Sequence, residues 1–510
     1  MSKYFRTGLW IGLFGLFVVV LFGGGVVLVC GLICGVMAGL LAGARSDGHT
    51  PADGARDGAA AAGVAGAVLL VANLLRAFVV GPLVGQPAPS ATTAVMQGLL
   101  AAGLTTLIAM ALGASHFLPE NRRAIGTWVV LGLLIVAYPF LDRVVMQPSW
   151  LPVIITSLIF ILLALGLNIV VGYAGLLDLG YAAFFAIGAY TVALLSSDHL
   201  GRQFDYEFRM SFWLVIWVAA ATASIFGLIL GSPTLPLRGD YLAIVTLGFG
   251  EIVPIVFRNL DNFSITIAGR EIVAPFNLTG GDPGISPIDP PRLPPELGIN
   301  FADRSDPRPW YFLLLLIILF SIFMIRRMRD SRLGRAWMAM REDELAAASM
   351  GINIVRTKLL AFAMGASISG FGGAYYASFV AGAFPTSFDF SVSVIVLCMV
   401  ILGGLGNIYG VIIGGLIIEL SDRLFLPQLS LFLQSLANNN PNLQPLQTFD
   451  PNLYRFGLFG LVLVMMMQLR PEGLLPSSRR RAELHAAEES PTIAAQERSE
   501  VGSGRWQLEE

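Results

Sequence analysis

The sequence predicts an all-α fold, a polytopic bundle of membrane-spanning helices, and three observations carry that prediction. Of 510 residues, 55% are apolar and only 13% are charged. Mean hydropathy is +0.72. The apolar residues fall in long charge-free blocks rather than at amphipathic spacing, whereas soluble domains carry about twice this charge.

In chain order, the first block runs without charge from Thr7 to Ala44. As one helix it would be about 55 Å long against a hydrocarbon core of about 30 Å. Gly23-Gly24-Gly25 is its natural break, giving a kinked span or a tight hairpin, and its length exceeds a signal peptide's apolar region. After a polar stretch, spans are expected near 59–75, 93–112, 127–141, 152–171, 181–196, 212–230, 241–257 and 310–325, then 359–381, 390–403, 408–421 and 454–468. Residues 1–124 thus form a hydrophobic extension with about three spans. Residues 477–510, rich in Glu, Ala, Ser and Arg, read as a disordered cytoplasmic tail.

Basic residues orient the chain. Segment 326–358 holds Arg326, Arg327, Arg329, Arg332, Arg335, Arg341, Arg356 and Lys358 against four acids, and Arg479-Arg480-Arg481 follow the last span. Both are expected in the cytoplasm, the triple arginine also attracting anionic membrane lipid. Counting back places 258–309, proline-rich and of mixed charge, outside as a solvated segment.

Several chemistries are excluded. The net charge of −2 gives no field for nucleic acid. The only lysines, Lys3 and Lys358, do not follow glycine, so there is no P-loop. Cys30, Cys34 and Cys398 lie in apolar runs, and the four histidines lack ligand spacing, so neither a disulfide framework nor a metal site is expected. No nucleophile–base pair or cofactor motif marks an enzyme.

In the cytoplasmic segment, Ser331 can cap a helix with Leu333, Trp337 and Met340 at helical spacing, an amphipathic rod at the membrane surface. Glu344, Ala347 and Gly351 fall at i, i+3 and i+7, so a carboxylate and two small residues share a face that permits close approach. In the membrane, Asp240 can cap the 241–257 helix, and Glu251, eleven residues on, lies about 16 Å along its axis. A carboxylate at that depth costs several kcal/mol unless paired, hydrated or protonated, so Glu251 is either an interhelical partner or a group on the translocation path. Asp178 stands in the break made by Gly172, Gly175 and Gly180, as the N-cap of the next helix or as a substrate contact. Asn168 and Asn407 read as interhelical glue or path residues, and Thr246 joins the candidate path. Gly403, Gly404 and Gly406 mark a tight turn between two short helices.

The stretch from Arg332 to Gly351, RLGRAWMAMREDELAAASMG, resembles the coupling loop of ABC-importer permeases, specifically the LivM-type branched-chain amino acid permeases. Leu345 stands where the general EAA-x-x-x-G pattern has glutamate, with Glu344 one place earlier. Gly166–Tyr181 through Tyr190, Leu237–Ile252, Thr279-Gly280-Gly281 with Gly284-Ile285, Leu402–Asn407 and Leu469–Pro476 resemble the same family, in family order, across 125–476.

The resemblance implies a permease core with a cytoplasmic coupling helix, in which Arg335, Trp337, Glu344, Ala347 and Gly351 meet the ATPase. It implies a LivH-type permease subunit as heterodimer partner, two cytoplasmic ABC ATPases that carry the ATP, and a periplasmic substrate-binding protein, at a bacterial inner membrane. This chain itself would bind no cofactor. Urea or short amides are alternative cargoes, and an ion-coupled secondary transporter or channel using Glu251 is the alternative of another class.

Overall fold

A computed structural model of the chain describes residues 51–77, 91–115, 129–140, 150–204, 209–234, 240–267, 270–294, 296, 298–439, 449–470 and 473–475, with scattered helical positions between 9 and 38. The break at Gly23-Gly24-Gly25 and the tail 477–510 lie outside the described residues. Among them, nine helices are long and apolar enough to cross a membrane. The chain divides into two compact units, Met1–Pro152 with Ser421–Arg455, and Val153–Leu420 with Phe456–Glu510. That division falls later than the boundary expected at 124.

The elements are α1 (Pro51–Leu75), α2 (Ala91–Ser115), α3 (Val129–Phe140), α4 (Leu151–Leu167), α5 (Tyr181–Ser196), α6 (His199–Phe204), α7 (Phe212–Thr234) and α8 (Asp240–Asn259), then strands β1 (Phe263–Ile267) and β2 (Arg270–Phe276). There follow α9 (Arg308–Arg329), α10 (Arg332–Glu342), α11 (Glu344–Ser349), α12 (Ile354–Val380), α13 (Phe390–Gly403), α14 (Ile408–Leu420), α15 (Leu426–Asn439) and α16 (Arg455–Leu469). The fold is helical, with β1 and β2 a short antiparallel hairpin that apolar periodicity did not announce.

In the first unit, α1 and α2 pack through alanine and glycine. Ala61, Ala65, Leu69, Ala72, Ala101 and Ala109 form a core, and the Thr105 hydroxyl contacts the Gly31 and Ala101 carbonyls. Small side chains let helix backbones approach where lipid supplies no hydrophobic drive.

The second unit is organised around α12. A Cβ at Gly373 would lie 2.2 Å from the Phe185 carbonyl, one at Gly370 2.8 Å from the Ala219 carbonyl, and one at Gly227 2.9 Å from the Phe362 carbonyl. The α5–α12–α7 crossings therefore exist only because side chains are missing there. Helix α14 is about 20 Å long and too short for a full crossing, whereas α13 with the 3₁₀ turn before it makes the 19-residue candidate span Pro385–Gly403. They turn back at Gly404 (φ 115°) and Gly406 (φ 80°), as the glycine pattern predicts.

The 258–309 segment is less solvated than its prolines suggest. Ile285 and Ile288 are buried, Ile285 bridging to Ala383 after α12 and Ile288 pairing with Ser197 after α5. Thr279 donates to the Phe257 carbonyl at 2.6 Å. The segment is docked on one end of the helices, and 331–353 occupies the other, because α9 runs from the first to the second.

Candidate functional site

The segment after α9 is two helices rather than one rod. Ser331 caps α10, its Oγ accepting from the Gly334 N–H at 3.4 Å. The buried face is Gly334, Trp337 and Met340, while Leu333 is exposed, unlike the expected stripe. The Trp337 Nε1–H donates to the Thr357 carbonyl at 2.9 Å, so this side chain ties α10 to α12 and is closed to a partner.

Asp343 takes an extended conformation and caps α11, its Oδ1 accepting from Leu345 and Ala346 N–H groups at 2.8 and 3.0 Å. Helix α11 ends at Ser349, before Gly351, so the expected shared face of Glu344, Ala347 and Gly351 is not formed. Ala347 is buried, and Glu344 reaches inward to Lys358, Oε1 to Nζ 2.5 Å, with their side chains 28% and 7% exposed. Gly351 lies past the helix end at φ 85°, with open space where a Cβ would be. Leu345 and Met350 project outward, as does Arg335, whose guanidinium donates to the Asp330 carbonyl.

Arg341 was read in the sequence only as positive charge. Its Nη1 donates to the carbonyl of Gly172, and its stem lies where a Cβ on Gly175 would fall, 2.7 Å from Cγ. Arg341 is four residues after Trp337, hence on the same inward face. That spacing was the available signal.

Gly172 belongs to a widened π-helical stretch, Asn168–Tyr173, that ends α4, the kind of bulge that recurs at functional sites. Asn168 is fully buried, and its Oδ1 accepts from Gly406 N–H at 2.9 Å. Asn407 donates to the Leu475 carbonyl at 2.8 Å and accepts from Tyr409 N–H at 3.1 Å. Arg341, the bulge and the Gly404–Gly406 turn thus form one hydrogen-bonded junction.

Beyond the bulge, the chain crosses to α5. Gly180, not Asp178, is the N-cap of α5, and the first-turn Ala182 N–H is taken by Ser393 Oγ at 2.9 Å. The fully buried Asp178 instead folds its own loop, Oδ1 accepting from Gly180 N–H at 2.9 Å, and its Oδ2 has no hydrogen-bond partner among the described residues. The Thr246 hydroxyl is spent: it accepts from Leu179 N–H and donates to the Ala243 carbonyl, both at 3.0 Å. A Cβ on Gly180 would lie 2.2 Å from the Thr246 carbonyl, so break and α8 touch backbone to backbone.

Glu251, one turn beyond Thr246 on α8, is exposed on the surface of this chain and has no hydrogen-bond or ion-pair partner among the described residues. Of its two readings, the interhelical bond is not formed among the described residues. Glu251 shares an outward face with Ile244, Gly248, Ile252 and Ile255. The side chain of Asp240 lies outside the described residues.

Among the described residues no group of acids, histidines and cysteines could hold a metal ion. A polytopic helical bundle with a segment docked at one end, a broken helix, and at the other end a two-helix segment locked to that break and to α12 has the architecture of a multi-pass membrane transport permease. The family profile for "branched-chain amino acid transport system / permease component" matches residues 149–467, and the chain belongs to that family.

Three relatives each match part of the chain. The high-affinity branched-chain amino acid transport system permease protein LivM of Escherichia coli is 36% identical over 376 residues, 70% of this chain and 76% of the relative. The probable branched-chain amino acid transport permease protein LivM of Methanocaldococcus jannaschii is 26% identical over 341 residues, 62% and 90%. The LivH permease protein of Escherichia coli is 25% identical over 274 residues, 52% and 81%. No solved structure matches the chain.

Proposed function

We propose that this chain is one permease subunit of an ATP-driven importer of branched-chain or other small amino acids. Its partners are a LivH-type permease subunit, two cytoplasmic ABC ATPases that bind the ATP, and a periplasmic binding protein. It works in the bacterial inner membrane with 331–351 and the C-terminus in the cytoplasm. The observation that carries this reading is the inner two-helix segment tied into the membrane at three points, Trp337–Thr357, Glu344–Lys358 and Arg341–Gly172. A surface helix joining two spans needs no such bracing. A segment that receives a push does, because force passes only through elements that move as one.

Leu345, Met350, Arg335 and Gly351 are the groups presented to an ATPase, while Trp337, Glu344 and Ala347 hold the segment in shape. On the membrane side, Glu251 lines the path between this chain and the second permease, where water or a partner's group compensates its charge. Thr246, Asn168 and Asn407 serve that path indirectly, by fixing the break that carries Asp178. Residues 1–124 are an accessory hydrophobic extension, and 125–476 is the permease core.

Reconstitution tests the reading. Liposomes holding all five components with ATP are expected to accumulate labelled leucine, and this chain alone with an ion gradient is not. Uptake by the isolated chain would make it a secondary transporter using Glu251. Within the assembled importer, Glu251→Gln is expected to lower uptake several-fold while the ATPases co-purify normally; transport at the parental rate removes Glu251 from the path.

A further inference from the structure

At the end of the bundle opposite the coupling segment, charged groups gather that helix capping does not use. Arg258, in the last turn of α8, has Nη2 3.6 Å from Asp389 Oδ1 and Nε 3.8 Å from Asp282 Oδ1. Both separations are too long for hydrogen bonds. Its Nε is buried without a hydrogen-bond partner among the described residues. Asp389 occupies the N-cap of α13, yet its side chain caps nothing.

Beside them lies an aromatic cluster. Tyr190 of α5, 2% exposed, packs on Phe257 with ring centroids 4.2 Å apart and on Phe388 at 6.1 Å. These rings immediately precede Arg258 and Asp389 in sequence. The Tyr190 hydroxyl is buried and has no hydrogen-bond partner among the described residues. A buried hydroxyl without a partner costs free energy that a ligand can recover.

One cation facing two carboxylates, beside aromatic rings and an idle hydroxyl, is complementary to a small molecule with both charges and an apolar body. We propose that Arg258, Asp389, Asp282 and Tyr190 form an entry site for a zwitterionic α-amino acid with an apolar side chain; this rests on the amino-acid importer reading. Arg258 takes the carboxylate through its N–H fork, Asp389 and Asp282 take the ammonium, and the partly exposed Phe257 ring receives the side chain. Arg258 follows Glu251 by seven residues, so the site lies on the same face of α8, about 10 Å farther along its axis. A solute released here has Glu251 as the next charged group on that face.

The assembled importer in lipid nanodiscs, without binding protein, tests this by labelled-leucine binding at millimolar concentration. Binding is expected to saturate and to be competed by isoleucine, but not by leucinamide or N-acetyl-leucine. Arg258→Gln is expected to weaken it roughly tenfold or more, as befits loss of a charge-assisted pair, and to erase discrimination against leucinamide. Arg258→Lys keeps that discrimination at reduced affinity, and Asp389→Asn erases discrimination against N-acetyl-leucine. Absence of leucine binding to the parental complex, or unchanged discrimination in every variant, overturns the site. So does normal leucine binding by Arg258→Gln with binding-protein docking lost, which makes the cluster a docking rim for protein. Active uptake of leucine by the full importer alongside a negative binding result overturns this site alone; no amino-acid uptake overturns the function as well.

Discussion

Glu344→Ala is expected to release α11 from the bundle and cut leucine uptake by the full importer at least tenfold, with fewer ATPase subunits recovered per permease. The cause is Lys358, whose side chain is 7% exposed and would be left with its charge but without Glu344. Breaking a buried pair from one side costs about 3–5 kcal/mol, and the 28% exposure of Glu344 brings this case just below that range, to about 2–3 kcal/mol. The asymmetry is the distinguishing feature. Lys358→Met strands Glu344 instead, but that carboxylate can hydrate, so the loss should be smaller. Glu344→Gln with Lys358→Met removes both charges and should recover most of the uptake, because a buried pair adds little over its neutral replacement. If the double variant is as impaired as Glu344→Ala, the carboxylate acts on the ATPase directly, as the sequence pattern first suggested. Co-purification stoichiometry and initial uptake rates check all three variants.

The sequence made the spans legible because lipid permits few backbones: a charge-free run of sufficient length must be helical. Glycine was equally readable at 403–406, where left-handed backbone requires it. Capping was readable at Ser331 but not at Asp343, since Glu342-Asp343-Glu344 in sequence looks like a continuous charged helix face. Only the local backbone shows that the middle acid stops one helix and starts the next. The docking of Ile285 and Ile288 depends on Ala383 and Ser197, each some ninety residues distant along the chain. No local pattern encodes such pairing. The direction of Glu251 was hidden for a different reason. Its position in the membrane followed from counting, but the direction it faces depends on which side of α8 the rest of the chain covers, a matter of packing against α5 and the break at Gly180.

Arg341→Ala should separate ATP hydrolysis from transport. The Arg341 side chain joins the segment we propose to meet the ATPase to the Gly172 carbonyl in the π-helical stretch. From that stretch, Asn168 reaches Gly406, and a few residues on, Leu179 and Gly180 hold α8 at Thr246. Removing the guanidinium leaves Trp337–Thr357 and Glu344–Lys358 intact, so the outward-facing residues keep their places and the ATPases should still bind and turn over. A charge-assisted hydrogen bond lost from a partly buried site is worth about 1.5–3 kcal/mol, a change of roughly ten- to a hundredfold in the coupling of the two ends. Uptake per ATP hydrolysed should fall by that order. Arg341→Lys should recover only part, because an ammonium lacks the planar fork and the reach along the carbonyl. Arg332→Ala is the control: the same charge is removed from α10, but the side chain is exposed. It should change the ratio little. Parallel losses of hydrolysis, assembly and uptake in Arg341→Ala would mean that the residue holds the fold and transmits nothing; hydrolysis that continues while leucine stays outside is the signature of a severed link.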